Sequence, residues 1–348
     1  HCHDWQAGLV PVYLKTVFAG PNFYRNIKTV FTIHNLKFQG ITDAARMMDI
    51  TGLHSDLFTD TLMGGNNCGN MLKGGLTFSD KINTVSETYA EEIQTAFFGE
   101  RLDALLRYRS ADLSGIVNGI DYDSYNPLTD KAIAQGYDVN SFIEGKKVNK
   151  VDLQKEVGLP VDEDKFVIGI ISRLTDQKGL DLVNAVMNEI CNIDLQFVIL
   201  GTGEEQYENM FKYYAGQYPD KVSANIFYSD PLSKKIYAGV DALLVPSLFE
   251  PCGLTQLMSL RYGTVPVVRE TGGLKDTVHA YNKYEQTGNG FSFANYNAHE
   301  LLFQIESAAD VFYNDKDSWN AIVERGMNMD YSWNTSALVY ADLYESML

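Results

Sequence analysis

An α/β fold built on a doubly wound parallel sheet is what this 348-residue sequence predicts. Three observations carry the prediction. Short runs rich in Val, Ile and Leu alternate with helix-length segments through the second half, and such continuous apolar runs belong to parallel strands covered on both faces. The length suits about two domains of roughly 100–200 residues each. Apolar residues make up 45% and charged residues 21%, a globular balance that excludes a disordered or fibrous chain.

In the first half, Val30–Ile33 and 81–85 read as strands, and Ser86 reads as the N-cap of a helix holding Tyr89 and Ala90. The glycine-rich segment 64–69 reads as a loop, and the polar stretch 138–155 as a linker between domains. Residues 1–150 therefore offer few strands for a doubly wound sheet. The chain opens on HCHDWQ without an initiator Met, so the N-terminal domain is expected to be incomplete. In the second half, the strand Phe166–Ile171 precedes a helix after Gly179 with Leu180, Leu182, Val183, Val186, Met187 and Ile190 on its apolar side. The strand Leu195–Leu200 ends in Gly201-Thr202-Gly203, followed by a helix through Met210 and Phe211 and a strand at 222–227. Ala242–Val245 is a strand closed by Pro246, a helix covers about 254–262, and 265–268 is a further strand. Together these give a Rossmann-like domain over about 160–330. The last stretch, 332–348, has helical spacing with Leu338, Leu343 and Tyr344.

Twenty-eight Lys and Arg against 45 Asp and Glu leave a net charge of −17, which makes nucleic acid and anionic membranes poor partners. A phosphate would have to be met by local cations. The four cysteines (Cys2, Cys68, Cys191, Cys252) form no CxxC pair and read as free thiols of a reducing compartment. No apolar run approaches the ~20 residues of a membrane span.

In an open parallel sheet, ligands bind at the carboxyl ends of strands, so the segments just after each strand hold the candidate residues. Arg173 and Lys178 follow the first strand of the second half, a fork and a point charge suited to a diphosphate. The competing reading is an ion pair for Arg173 and a solvated Lys178. Gly201 and Gly203 begin a dinucleotide-like GxGxxG, but Gln206 stands where the last glycine belongs. Their alternative is a tight turn. Glu250, in the segment Glu250-Pro251-Cys252-Gly253-Leu254, suits a sugar hydroxyl or a helix cap. Thr271, Gly272 and Gly273 suit an anion-binding turn or an ordinary one. Tyr228 is placed to stack on a ligand ring or to pack on the surface. His1-Cys2-His3 reads as incidental and not as a metal cluster, and the chain carries no P-loop, HExxH, GxSxG or CxxC zinc spacing.

Taken together, HDWQAGL at 3–9, FTIHNLKFQG at 31–40, TVSETYAEEI at 84–93, GIVNGID at 115–121, SRLTDQKGLDL at 172–182, LGTGE at 200–204, PSLFEPCGLTQL at 246–257, YGTVPVVRETGGLKDTV at 262–278 and DYSW at 330–333 resemble the bacterial glycogen synthase and plant starch synthase family, glycosyltransferase family five. The resemblance implies a GT-B fold of two Rossmann-like domains facing a cleft. Its expected layout is 1–150 for the remainder of an acceptor-side domain, 151–332 for a nucleotide-sugar domain and 333–348 for a helix crossing back. The implied reaction is transfer of glucose from ADP-glucose to the non-reducing end of an α-1,4-glucan (glycogen or starch) with retention, without metal or cofactor, in the bacterial cytoplasm or, as the weaker alternative, the plastid. By resemblance, Arg173 and Lys178 hold the diphosphate and Glu250 lies near the donor glucose. Cys252, Gly253 and Leu254 line that site, Thr271, Gly272 and Gly273 bind phosphate and sugar, and Tyr228 stacks on adenine. His3 matches the catalytic histidine, Asn118 faces the cleft and Asp4 orients the region, while His34 and Asn35 belong to the acceptor side.

The family's opening Lys-x-Gly-Gly-Leu loop has no match ahead of His3, so these 348 residues alone are expected to have little synthase activity. Two other readings compete. UDP-sugar transferases of related type carry a second Glu eight positions after the first, where this chain has Met258. A non-catalytic glucan-binding homologue is disfavoured by the intact Arg173, Lys178, Glu250 and His3.

Overall fold

The computed structural model describes residues 1–20, 22–65 and 67–348. The chain forms two compact units. Unit 1 is His1–Asn118 with Ser336–Leu348, and unit 2 is Gly119–Thr335.

Unit 1 contains strands β1 (Cys2–His3), β2 (Val30–Ile33), β3 (Ile41–Asp43), β4 (Gly64–Gly65), β5 (Cys68–Asn70), β6 (Lys81–Thr84) and β7 (Leu113–Gly115). β1, β2, β6 and β7 make a four-stranded parallel sheet in that order. Helices α1 (Leu9–Lys15), α2 (Asn22–Arg25), α3 (Ala44–Thr51), α4 (Met71–Phe78), α5 (Glu87–Glu92) and α6 (Asp103–Tyr108) accompany it. Phe31, Ile33, Leu72, Leu76 and Ile82 form its core. Ser86 caps α5, its hydroxyl accepting from the Tyr89 amide at 2.9 Å. Segment 64–69, expected as a loop, instead contributes β4 and β5 to an antiparallel sheet with β3. Asn66 lies outside the described residues.

Unit 2 is built from α7 (Phe142–Glu156), β8 (Phe166–Ile171), α8 (Leu180–Ala185), α9 (Met187–Asn192), β9 (Leu195–Leu200), α10 (Glu205–Gln217), β10 (Val222–Asn225), α11 (Asp230–Gly239), β11 (Ala242–Val245), α12 (Thr255–Arg261), β12 (Val265–Arg269), α13 (Gly272–Thr277), β13 (Phe291–Phe293), α14 (Ala298–Asn314) and α15 (Lys316–Met327). A final helix, α16 (Trp333–Glu345), begins in unit 2 and continues into the C-terminal residues of unit 1. Six parallel strands run β10-β9-β8-β11-β12-β13. The chain winds outward from β8 to β10, returns beside β8 at β11 and winds outward the other way. Order therefore reverses between β8 and β11, and the loops at their carboxyl ends flank the crevice such a reversal opens.

Several expectations need correction. The single helix after Gly179 is two helices, broken at Val186, although all six predicted apolar residues are buried. The strand expected at 222–227 stops at Asn225. The domain boundary expected at 150 falls after Asn118, because 138–155 is no linker. Most of it is α7, which buries Lys146, Asn149, Lys150 and Gln154 with their polar groups satisfied. Lys146 Nζ donates to Ala238 O at 3.0 Å and to Thr264 Oγ1 at 2.8 Å. Lys150 pairs with Asp241 at 2.8 Å. Gln154 Nε2 donates to Gln196 Oε1 at 2.8 Å. Among the described residues, no helix is long and apolar enough to cross a membrane.

Candidate active site

The reversal point in unit 2 gathers the charged residues. Lys178 ends a short 3₁₀ turn after β8, and Glu250 follows β11. Lys178 Nζ lies 2.6 Å from Glu250 Oε2, and the Ser247 hydroxyl donates to the same oxygen at 2.9 Å. Glu250 Oε1 has no hydrogen-bond partner among the described residues, and an ammonium offers two further N–H groups beyond the one spent on Glu250. Lys178 is therefore ion-paired and not merely solvated. Arg173 is the freer cation: its side chain is exposed and makes no ion pair or hydrogen bond among the described residues.

The two loops are tied by backbone as well. The Leu248 amide donates to Gln177 O at 2.9 Å. Buried Arg269, at the end of β12, donates from Nε to Ser247 O at 2.8 Å and from Nη2 to Leu248 O. Ser247 and Arg269 thus position Glu250; both lie within the segments that carry the family resemblance, but neither is a candidate site residue by sequence. What aligns them is the β11–β12 pairing, in which Val245 faces Val268.

The glycines have structural reasons. Gly272 sits at φ +45°, and a Cβ there would collide with the Glu250 carbonyl, as one at Gly273 would with Cys252. The Gly273 amide donates to Glu250 O at 3.1 Å, so it braces the Glu250 loop. A Cβ at Gly201 or Gly203 would strike the carbonyls of Ser172 or Leu174, which makes the turn between neighbouring loops their first requirement. Thr271 and Cys252 are buried, Gly253 takes φ +72°, and Leu254 is partly exposed. Tyr228 lies three residues past β10 and is 87% exposed, with its ring open to solvent.

In unit 1, His3 Nδ1 lies 2.9 Å from His34 Nε2, so one ring donates and the other accepts. Partial desolvation, and then the neighbouring His34, hold His3 below the usual histidine range, while Asp4 opposes them. Asp4 has φ 54° and ψ −174°, a backbone state that costs of order 1–3 kcal/mol in a non-glycine residue. It is held there by its amide on Thr32 O at 2.9 Å and by its carboxylate, which accepts from the His34 amide at 2.8 Å. Behind this cluster, Thr32 donates to Asn83 Oδ1 at 2.5 Å, and Asn83 donates to the Tyr340 hydroxyl at 3.1 Å. That chain depends on the Thr32–Asn83 register of β2 and β6, which no motif reveals. Asn118, partly buried, is the last residue of this stretch of unit 1 and makes no side-chain bond to the cluster. A cavity of about 850 Å³ in unit 1 is lined by Trp5, Phe38, Gln39, Asn70 and Glu100, among others. No group of three or more His, Cys, Asp or Glu among the described residues is arranged to hold a metal ion.

Residues 1–108 match the starch synthase catalytic domain family, and residues 153–318 match glycosyl transferases group 1. The glycogen synthase of Lachnospira eligens is 62% identical over 347 residues, covering 100% of this chain and 73% of that protein. The glycogen synthase of Thermotoga maritima is 52% identical over 348 residues, covering 100% and 71%. Among solved structures, the catalytic domain of starch synthase IV from Arabidopsis thaliana, bound to ADP and acarbose, matches with a TM-score of 0.92 at 34% identity, over 100% of this chain and 72% of that one. Sucrose-phosphate synthase from Thermosynechococcus elongatus matches with a TM-score of 0.61 at 17% identity, over 99% and 72%, a likeness of fold alone.

Proposed function

The chain belongs to the glycogen synthase family of GT-B glycosyltransferases, and from that premise we propose that it moves glucose from ADP-glucose to the non-reducing end of an α-1,4-glucan with retention. The observation that carries this reading is the Lys178–Glu250 pair at the reversal point of the unit 2 sheet.

Breaking the glucosyl–phosphate bond leaves an oxocarbenium-like sugar and a departing diphosphate. Arg173 and the free N–H groups of Lys178 meet that growing charge, each oriented contact contributing ~2–3 kcal/mol in the transition state. Glu250, anchored by Lys178 and Ser247 through Oε2, presents Oε1 to a sugar hydroxyl. Tyr228 supplies a ring for the base, and Cys252, Gly253, Leu254, Thr271, Gly272 and Gly273 shape the donor side. His3, with Asp4, Asn118 and the neighbouring His34, serves the glucose and acceptor side. The aromatic and amide lining of the unit 1 cavity suits a glucan. Glucosyl transfer changes no oxidation state, so the reaction as proposed calls for no cofactor.

Retaining hydrolases of the two-carboxylate type use a free nucleophilic acid. Glu250 is instead held through Oε2 by a cation and a hydroxyl, with no second acid to pair with it among the described residues, which favours attack of the acceptor hydroxyl on the face the phosphate leaves. A glucosyl ester trapped on Glu250 and seen by mass spectrometry would overturn that step. For the donor, the chain is titrated with ADP and UDP, and labelled glucose incorporation into glycogen is measured with the full-length protein. A preference for the adenine nucleotide of tenfold or more is expected. Parity or a uridine preference overturns the donor, and no incorporation from either overturns the transferase reading.

A further inference from the structure

Unit 2 holds a cavity of about 350 Å³ that the proposed reaction does not use. It lies past the C-terminal end of α13, between the segment that follows that helix and the end of α15, and His279, Asn289, Glu324, Arg325 and Asn328 are among its walls. Arg325 brings the one permanent positive charge. Its Nε donates to Gly288 O at 2.6 Å, which fixes that end of the guanidinium. Its Nη2 is buried and has no hydrogen-bond partner, and the side chain makes no ion pair among the described residues. A guanidinium has five N–H groups, and a buried one without an acceptor calls for a partner. The side chains of His279 and Asn328, both exposed residues, also make no hydrogen bond among the described residues. Glu324, the acid of this lining, is exposed to solvent.

A run of hydrogen bonds joins this cavity to the donor loops. The Asn289 side chain accepts from the His279 amide at 2.7 Å and donates to Thr277 O at 3.0 Å. The Thr277 hydroxyl donates to Gly273 O at 2.6 Å and accepts from Gln256 Nε2 at 3.2 Å. Gln256 Nε2 also donates to Cys252 O at 3.0 Å. Asn289, Thr277 and Gln256 are all buried. The run therefore ends on Cys252 and Gly273, in the turn that braces Glu250.

We propose that this cavity is an effector site for a small oxyanion, a phosphate or carboxylate group on a small metabolite, and that its occupancy tightens the donor loops on the nucleotide. Two oxygens of such a group match the planar fork of Arg325, and the His279 ring and the Asn328 amide supply further donors. A cation would be repelled by the guanidinium, and a neutral ligand would leave its charge unanswered. In a chain of net charge −17, an arginine without an acid partner is the local cation an anion requires. The volume stands near the lower end of the ~300–1,000 Å³ of ligand pockets, which favours a small molecule over a polymer. An anion bridging Arg325 and His279 holds the segment after α13 against α15, and Asn289 with it. Anything that favours this arrangement favours the donor loops wired to it, and the coupling is reciprocal: nucleotide must tighten the anion by the factor that the anion tightens nucleotide.

The probes are inorganic phosphate and malonate, titrated into the full chain at constant ionic strength, with ADP at saturation to mask the diphosphate loops. Binding is read from the rise in melting temperature, and the two arms distinguish a phosphate-borne from a carboxylate-borne group. Arg325→Met is expected to weaken the anion that the parent holds by about tenfold or more. Because Arg325 also holds Gly288 O, a second variant combines His279→Ala with Asn328→Ala. It removes only side chains that carry no hydrogen bond of the fold, and it should weaken the same anion about fivefold. The factor by which the anion tightens ADP should be about fivefold larger in the parent than in Arg325→Met, competition at the diphosphate loops being common to both. No response of the parent to either anion, or equal responses in the parent and both variants, would overturn the site. An equal effect on ADP in parent and variant would overturn the effector role. A chain that binds no ADP would instead sink the proposed donor, and the comparison of parent with variants in the anions alone would still decide this site.

Discussion

Lys178 and Glu250 have side chains only 18% and 10% exposed, so each is costly to leave alone. Removing one member of such a buried pair strands the other charge and costs about 3–5 kcal/mol, whereas removing both costs much less. Lys178→Ala alone is thus a poor probe of catalysis, since it loosens the fold and the phosphate contact together. The expected outcome of a double-mutant cycle is that Lys178→Ala with Glu250→Ala melts closer to the parent than either single variant. ADP affinity, in contrast, should fall about tenfold or more in both variants that lack Lys178. Additive melting shifts would show that the pair is not coupled. The sequence already pointed to both residues through the position of each just after a strand. That they touch was not legible, because their loops meet through the return of the chain to β11 beside β8. Arg269 was hidden for the same reason: a charged residue at a strand end reads as a candidate for ligand or solvent, and here it holds two carbonyls of the Glu250 loop.

The strands of unit 2 were the most legible elements, since mostly apolar runs of four to six residues have few other uses in an α/β chain. Phe166–Ile171, Leu195–Leu200 and Ala242–Val245 match the observed strands end to end. Helix α7 was the least legible. Its polar residues imitate a solvated linker, yet Lys146, Asn149, Lys150 and Gln154 are buried against α11 and the sheet. Such burial has a pH signature. Desolvation pulls Lys146 down to about 7 against the opposing pull of Asp241, with Lys150 adding a smaller push downward. Between about pH 7 and the usual lysine range, the unfolded chain binds the proton that the folded chain has released, so stability rises with pH there. The cost of burying the ammonium is fully present below about pH 7. The buried tyrosines act at higher pH: burial raises Tyr137 and Tyr262, so the unfolded chain ionises first and stability falls once pH passes about 10. Denaturant titrations of the parent should therefore show stability climbing from pH 7 to 9.5, with a slope approaching one proton, or ~1.4 kcal/mol per pH unit. Lys146→Met should flatten that climb. An equal slope in the variant would remove Lys146 as its origin.

At the scale of the whole molecule, the division into units follows contacts that composition cannot report. No helix or strand lies between β7 and α7, but Tyr137 in that stretch is fully buried and its hydroxyl donates to Tyr262 O at 2.7 Å, which fastens the segment to unit 2. At the other end, Ser336 donates to Val117 O at 2.7 Å, which ties the last helix to unit 1. The chain thus passes between units twice, at Asn118–Gly119 and at Thr335–Ser336. Every residue assigned to the diphosphate and base, from Arg173 through Tyr228 to Gly273, lies in unit 2, whereas His3, Asp4 and Asn118 lie in unit 1. Binding of ADP, which carries the leaving group without the glucose, should act on one unit only. At a hundredfold excess over Kd, such binding stabilises by ~2.7 kcal/mol, enough to raise the melting point of a unit this size by roughly 5–10 °C. With ADP present, hydrogen exchange should slow at residues 172–178, 247–254 and 271–274 and stay unchanged around His3 and His34. Protection confined to unit 1, or spread evenly over both, would place the nucleotide somewhere other than the loops that follow β8 and β11.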